Sequence, residues 1–280
     1  MLDLPRCPFK STGSDGDHED VRRYWDANAE AWTRLSRAGY DTYRDHFNTP
    51  SFFEMLPPVA GEAGLDIGCG EGHNTRLLAQ QGARVTAIDI SEVFIRHAQQ
   101  SEGRAPLGIR YQVASAVQLP FAEASFDFAT SFMSLMDTPE TETVIREAYR
   151  VIKPRGFLQF SITHPCFDTP RRRNLRDDEG ITYAYEVGDY FRNLHGDLEE
   201  WLFSAAPPEV LDGQPPFKTP RFTRTLSQWL NLLIREGFRL ECVAEPRPSD
   251  EAVRYYPNIQ DAQVVAYFLQ IRVRKPERES

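Results

Sequence analysis

Between Leu65 and Gly72 the chain reads Leu-Asp-Ile-Gly-Cys-Gly-Glu-Gly. Glycines at 68, 70 and 72, set between an apolar triplet and a helical stretch, remove the Cβ atoms that keep a ligand away from backbone amides. Such a turn also serves plain strand–helix packing, so a second feature has to separate the two uses. Asp89 does this: it ends the next apolar run about twenty residues on, where a carboxylate can accept both hydroxyls of a ribose. An adenosine-bearing ligand is expected. Local charge narrows the choice further. A pyrophosphate on this loop would face Asp66 and Glu71 at a cost in a confined site. The ammonium and sulfonium groups of S-adenosylmethionine (SAM) suit those acids.

Methyl transfer from a sulfonium is an in-line displacement that needs proximity, alignment and dry walls. A base is required only where the acceptor must lose a proton. His164, directly after the apolar run Phe157–Thr163 and before Pro165-Cys166-Phe167, is the candidate base, since histidine titrates near neutrality. Its alternative use is to bond a lid backbone group. His73 follows the glycine loop and either covers the cofactor or faces solvent. His195 reads as a solvated loop residue and His97 as a surface one. Cys166 reads as a packing thiol, because transfer to the acceptor is direct. The six histidines show no HxxxH or HExxH spacing, and the four cysteines stand singly, so no metal is expected.

These groups need a scaffold, and the pattern supplies one. Short strands are expected at Leu65–Ile67, Ala83–Ile90, Ile109–Val113, Phe126–Ser131 and Phe157–Thr163. Helices alternate with them at Asn74–Gln80, from an N-cap at Ser91 through Gln100, and at Glu140–Ile152, with Pro154-Arg155-Gly156 as a turn. That alternation means a parallel sheet with right-handed crossovers. Thr225–Glu236 is a further amphipathic helix ended by Gly237, and Phe238–Ala244 and Val264–Val273 are two last strands. Before the sheet, residues 1–60 hold a polar lead-in and an aromatic helical cap. Residues 164–220 carry seven of the twenty prolines and many aromatics, and read as an irregular lid. Phe167, Tyr185, Trp201 and Phe203 there would either wall the substrate or form the lid's own core. The arginines from 171 to 176 are followed by Asp177, Asp178 and Glu179, which suggests a self-neutralised solvated loop.

The ordered set LDIGCGEG, AIDIS, ASAVQLPFAEASFDFATSFMSLMD and EAYRVIKPRGFLQFSI resembles the class I SAM-dependent methyltransferases over about residues 62–163. It is most similar to their small-molecule branch, which includes ubiquinone- and menaquinone-type enzymes. The resemblance implies that Asp66, Gly68 and Gly70 hold the methionine portion, Asp89 the ribose, and Ile90 the adenine face. Ala114-Ser115-Ala116 stands where the family usually has Gly-Asp-Ala. Ser115 therefore replaces a frequent adenine-binding acid, while the Ala116 amide keeps a contact to the ring. Ser131 and Phe132 would offer carbonyls to the SAM amine, and Tyr24 would lie over the methionine tail.

The whole chain is 280 residues with 32 bases and 41 acids, a net charge of −9. Acidity disfavours a general nucleic-acid binder, whose affinity comes from lysine and arginine on phosphates. No apolar run approaches the roughly 18 residues of a membrane span, no secretory leader is visible, and sparse cysteines fit a reducing cytoplasm. The expected protein is thus an α/β enzyme with a Rossmann-like seven-stranded sheet, mostly parallel with the last strand reversed, divided as cap 1–60, core 61–163, lid 164–224 and closing segment 225–280. It would use SAM, release S-adenosylhomocysteine (SAH), and methylate oxygen or carbon of a small, apolar or aromatic acceptor as a monomer or homodimer. Amino-group methylation of nucleic acid or glutamine is disfavoured by Ser131-Phe132-Met133-Ser134, which lacks an Asn/Asp-Pro-Pro-aromatic loop. An NAD-dependent oxidoreductase is disfavoured by Asp66 and Glu71, and a SAM-binding regulator without catalysis remains an alternative.

Overall fold

A computed structural model describes residues 18–277. Helix α1 (His18–Arg37) turns Val21, Ala29 and Leu35 inward. A π-helical turn (Arg44–Asn48) runs into α2 (Thr49–Met55). The alternating section follows as β1 (Ala63–Ile67), α3 (His73–Gln80), β2 (Arg84–Asp89), α4 (Glu92–Arg104), β3 (Arg110–Val113), β4 (Phe126–Phe132), α5 (Thr141–Val151) and β5 (Ile152–Thr163). Ser91 caps α4, its hydroxyl accepting from the Phe94 amide at 3.2 Å, as its residue type and position predict.

Beyond β5 the chain leaves the sheet and builds β6 (Arg171–Arg176), β7 (Thr182–Gly188), β8 (His195–Trp201), α6 (Pro208–Leu211) and β9 (Phe217–Phe222). It returns through α7 (Leu226–Arg235), β10 (Arg239–Ala244), α8 (Asp250–Tyr255) and β11 (Phe268–Arg274). Thr225 and Gln228 form a reciprocal capping box at the start of α7.

Seven strands make one sheet in the order β10-β11-β5-β4-β1-β2-β3. Only β11 is reversed, antiparallel to β5 and to β10, so the expected mostly parallel sheet with a reversed last strand is present. Leu65, Ile67, Ala129, Leu158, Phe160 and Ile162 are all buried, as both faces are covered. α5 and α7 cover one face through Val144, Ile145, Trp229 and Leu232. α3 and α4 cover the other through Leu78, Ile95 and Ala98. Gly64 is what lets Phe128 lie across β1: a Cβ there would sit 2.3 Å from the ring. Among the described residues no helix is long and apolar enough to cross a membrane.

Three expectations about local structure need correction. The lid segment is not irregular: β6–β7 and β8–β9 are antiparallel hairpins. Their alternation is masked by charged and proline residues: β6 and β8 bury no residue fully, and β9 buries Phe217, Thr219, Pro220 and Phe222 in a run that includes a proline. The last strand starts at Phe268 rather than Val264. Pro257–Gln263 is a 3₁₀-helix, and the Tyr267 hydroxyl donates back to Asp261 Oδ2 at 2.7 Å, folding the approach to the strand against that helix. Strand β5 also absorbs the Pro154–Gly156 turn, since Arg155 N donates to Lys275 O and Lys275 N to Gly156 O.

Candidate functional site

Where the strand order reverses between β1 and β4, the carboxyl ends of β1, β2, β4 and β5 open into a cleft of about 530 Å³, closed by α1 and the two hairpins. An open α/β sheet places its ligands at this point.

The glycine turn forms the floor. Gly68 N and Cys69 N both donate to Ile88 O, which folds the loop back onto β2. Gly68 has φ +72°, and a Cβ on it would lie 1.9 Å from the Ser134 hydroxyl. Gly70 N donates to Asp89 Oδ2 at 2.8 Å and Ser91 N to Asp89 Oδ1 at 2.9 Å. Burial pushes the Asp89 carboxyl up to about 6, against the pull of those two amides. Each oxygen keeps a further lone pair, so two acceptor sites remain for a ligand diol. Asp66 is buried as well; Thr130 and Thr75 hydroxyls donate to its two oxygens at 2.9 and 2.6 Å. Burial raises its pKa against those bonds. Open space lies over Gly70, so the cradle fits an adenosyl ligand.

Glu71 behaves differently from the sequence expectation. Arg37 Nε lies 2.9 Å from it and Arg44 Nη1 3.9 Å. Its charge is answered inside the protein, so the preference for a cationic ligand rests on Asp66 and Asp89.

Of the residues expected to bind the cofactor, Asp66, Gly68, Gly70, Asp89, Ile90, Ser115, Ala116 and Phe132 all line the cleft. Tyr24 and Ser131 are not on its wall. On α1 the wall is made by His18, Val21, Trp25 and Trp32, whose spacings of three, four and seven share one helical face. Tyr24 is turned away and carries the Arg23 guanidinium 5.4 Å from its ring centroid. Ser131 is fully buried in β4, and the wall begins with Phe132 and Met133, since adjacent strand residues point to opposite faces.

His164 is likewise off the wall. The Cys166 amide donates to its Nδ1 at 3.2 Å, which leaves the proton on Nε2, where it is donated to Glu245 Oε1 at 2.9 Å. Its carbonyl accepts from Phe167 N and Asp168 N. Burial lowers its pKa, with the Glu245 bond opposing. Both ring nitrogens are engaged in holding the turn that launches the lid. His164→Ala should therefore lower stability by about 1–3 kcal/mol and leave SAH affinity within about twofold of wild type, read by denaturation and calorimetry; a large loss of affinity with unchanged stability would return His164 to the site. His73 does line the cleft, whereas His195 and Cys166 do not. His97 is half-buried against α1, bonded to Glu30 at 2.9 Å.

The lid contributes more than its composition suggests. Arg172 bonds Glu199 at 2.6 Å and lies 3.2 Å from Asp168, while Arg221 pairs with Asp168 and, at 3.0 Å, with Glu199. This four-charge ring ties β6, β8 and β9 to the turn after β5, and all four residues face the cleft. The arginine run is thus neutralised by Asp168, Glu199 and Glu186 rather than by the neighbouring acids at 177–179. The aromatics divide: Phe167, Tyr185, Tyr190 and Phe222 face the cleft, Trp201 and Phe203 serve both cleft and lid core, and Tyr183 and Phe191 face solvent.

Asp137, on the short 3₁₀ turn after β4, was not distinguished by the sequence. It lines the cleft, and among the described residues no hydrogen bond reaches its carboxyl group. Burial pushes it up to about 8, against the pull of Arg221 and reinforced by Asp168 and Glu199. Only the lid brings those three charges to it, so no local signal marked it.

Comparison with known proteins agrees with this geometry. The Methyltransferase domain family matches residues 65–160. A 27-O-demethylrifamycin SV methyltransferase of Amycolatopsis mediterranei is 36% identical over 221 residues, covering 75% of this chain and 74% of that enzyme. An O-methyltransferase of Penicillium expansum is 38% identical over 121 residues, 41% of this chain, and the match spans only 44% of its own length. A crystal structure of a SAM-dependent methyltransferase from Mesorhizobium loti superposes with a TM-score of 0.64 at 27% identity, covering 80% of this chain and 96% of that one. With the glycine turn, the buried acid at the end of β2 and the reversed last strand all in place, the chain belongs to the class I SAM-dependent methyltransferases.

Proposed function

We propose that this enzyme transfers the methyl group of SAM to a hydroxyl oxygen of a small, largely apolar or aromatic molecule bound between the glycine turn and the lid. The observation that carries the reading is the cleft itself: the acidic glycine turn on one side, and on the other a roof of Phe167, Tyr185, Tyr190, Trp201 and Phe203. Such walls exclude water and favour ring-bearing ligands. The relatives' activities support oxygen as the acceptor atom, and the enzyme's acidity favours no nucleic acid. In this reading residues 1–60 act as cap, 61–163 as the cofactor-binding core, 164–224 as lid and 225–280 as the segment that completes the sheet. The enzyme works as a monomer or homodimer in the cytoplasm.

When bound, SAM supplies an activated methyl group. Within the chain, Asp89 would orient the ribose, and Asp66 with the Gly68–Gly70 backbone would hold the methionine end. Ile90, Ser115 and Ala116 would bound the adenine. Val21, Trp25 and Trp32 would exclude water from above.

The test is incubation with methyl-labelled SAM and a panel of phenols, hydroxylated polyketides and simple alcohols, the product being identified by mass spectrometry and NMR. Labelled methyl ethers are expected. Label found only on carbon, or only on RNA or protein supplied in parallel, would overturn the reading.

A further inference from the structure

We propose that Asp137 is a catalytic residue: it takes the acceptor's hydroxyl proton, in a carboxylate form that the positive sulfur of the cofactor stabilises. This rests on the reading above, with SAM along the glycine turn and a hydroxyl acceptor beneath the lid.

Charge placement in the lid half of the cleft carries the proposal. Six charged side chains face that half: Asp137 from the turn after β4, Asp168 from the turn after β5, Arg172 on β6, Glu199 on β8, Arg221 on β9 and Arg224 just after it. Asp168 and Glu199 are each shared between Arg172 and Arg221, with the Arg172 Nη2–Glu199 Oε1 separation at 2.6 Å and Arg221 Nη1–Glu199 Oε2 at 3.0 Å. Arg172 also donates to Thr169 O and Arg221 to Asp168 O. Both of these guanidinium groups are therefore occupied. Arg224 donates to Pro139 O at 3.1 Å and lies over the Trp229 ring. Among the described residues of this half Arg224 has no ion-pair partner, and Asp137 is the carboxyl without a hydrogen bond or ion pair. Tyr185 on β7, on the same wall, adds no cation. On the opposite side, Arg44 is engaged with Asp45 at 2.7 Å and with Ser36, so it does not balance Asp137 either.

Position fits the role. Asp137 N donates to Ser134 O, and the Ser134 side chain packs on Gly68. The residue is thus one short turn from the place where the methionine end would lie, and the lid charges Arg221, Asp168 and Glu199 act on its carboxyl group. In the protein alone, burial holds its carboxyl protonated at neutral pH. A sulfonium brought into this half-dry cleft favours the ionised form. In the reaction the acceptor's O–C bond forms as the S–C bond breaks, the electron pair stays on sulfur, and the hydroxyl proton passes to Asp137. Positive sulfur and negative carboxylate are then both neutral, so the charge that favoured ionisation has gone when the base is protonated. His164, with Nδ1 bonded by Cys166 N and Nε2 by Glu245, has no free site for this proton.

The coupling can be measured without an acceptor. SAM and SAH differ at sulfur by one methyl group and one charge, so comparing them isolates the sulfonium. Titration calorimetry at about pH 7 in two buffers of different ionisation enthalpy counts the protons released. Wild type should release close to one proton more with SAM than with SAH, and the SAM-to-SAH affinity ratio should rise by up to about tenfold per pH unit below pH 8. In Asp137→Asn, an isosteric change, the two ligands should release the same number. Equal proton counts in wild type, or a difference that survives in Asp137→Asn, would overturn the proposal while leaving cofactor binding intact. Since the wild-type comparison needs no variant, a folding defect cannot obscure it. An acceptor identified from the labelled panel adds a second readout: kcat should fall at least about a hundredfold in Asp137→Asn, with SAM binding weakened by up to about tenfold at pH 7 and SAH affinity retained. Methyl transfer to oxygen with unchanged kcat would remove Asp137 from the reaction without touching the proposed function.

Discussion

Asp89→Ala weakens binding of both SAM and SAH by about a hundredfold or more, because it removes two charge-assisted hydrogen bonds worth roughly 1.5–3 kcal/mol each. It acts twice. The carboxylate would lose its contacts to the ribose, and it would also release Gly70 N and Ser91 N, which it holds at 2.8 and 2.9 Å. The glycine turn and the start of α4 are therefore both loosened. The same residue sets a pH limit. Its carboxyl is pushed up to about 6, and a ribose diol needs the ionised form. A proton thus competes with the ligand, so affinity for SAH should be flat above that value and decline as pH falls below it. Calorimetry from pH 5 to 8 checks both statements. An Asp89→Ala protein that binds SAH like wild type would show that the ribose lies elsewhere.

Trp32→Ala should cost about 3 kcal/mol of stability and open the lid. Trp32 is the hinge of an aromatic cluster: Trp25 lies 5.4 Å from it on its own helix, and Trp201, Phe203 and Phe217 lie 5.0, 5.1 and 5.1 Å away on the lid. Edge-to-face pairs of this kind add to the area they bury. Without the indole, α1 keeps the polar clamp of Asn28 on the Lys218 backbone, at 2.9 and 3.2 Å, the Arg34–Gln214 bond at 3.0 Å and the packing of Leu35 against the lid core. Limited proteolysis should then cut within residues 164–224 faster than elsewhere, and Trp32→Phe should restore much of the protection. Stability within about 1 kcal/mol of wild type, with no new cleavage, would show that the aromatic cluster does not fasten the lid.

The lid explains why site and scaffold were unequally readable. In the core, the cues are local. Strand-then-glycine, Asp89 at the next strand end, Ser91 as a cap and Thr225 at the start of α7 each depend on neighbours a few residues away. Such cues survive without knowledge of the rest of the chain. The hairpins of the lid are held instead by contacts distant in sequence, from Arg172 to Glu199 and from Trp32 to Trp201. Their strands, one of them reading Arg-Arg-Arg-Asn-Leu-Arg, carry no apolar alternation to announce them. Tyr24 and Trp25 show the same division at the scale of one residue. Both are aromatic and adjacent, and only the rotation of α1 about its axis decides that Trp25 meets the cleft.

By itself, then, the sequence determined the parallel sheet, the adenosyl cradle and the family's reaction, because backbone dihedrals, caps and the glycine turn are written in short stretches. The tertiary structure alone decided ionisation and access. Glu71 reads as a free acid and is neutralised by Arg37 from α1. His164 reads as a base and is bonded at both nitrogens. Asp137 reads as an ordinary loop residue and becomes the unpaired carboxyl of the cleft. Residue type sets what a side chain can do, but desolvation and neighbouring charge set its protonation, and those arise only when segments remote in sequence close around it.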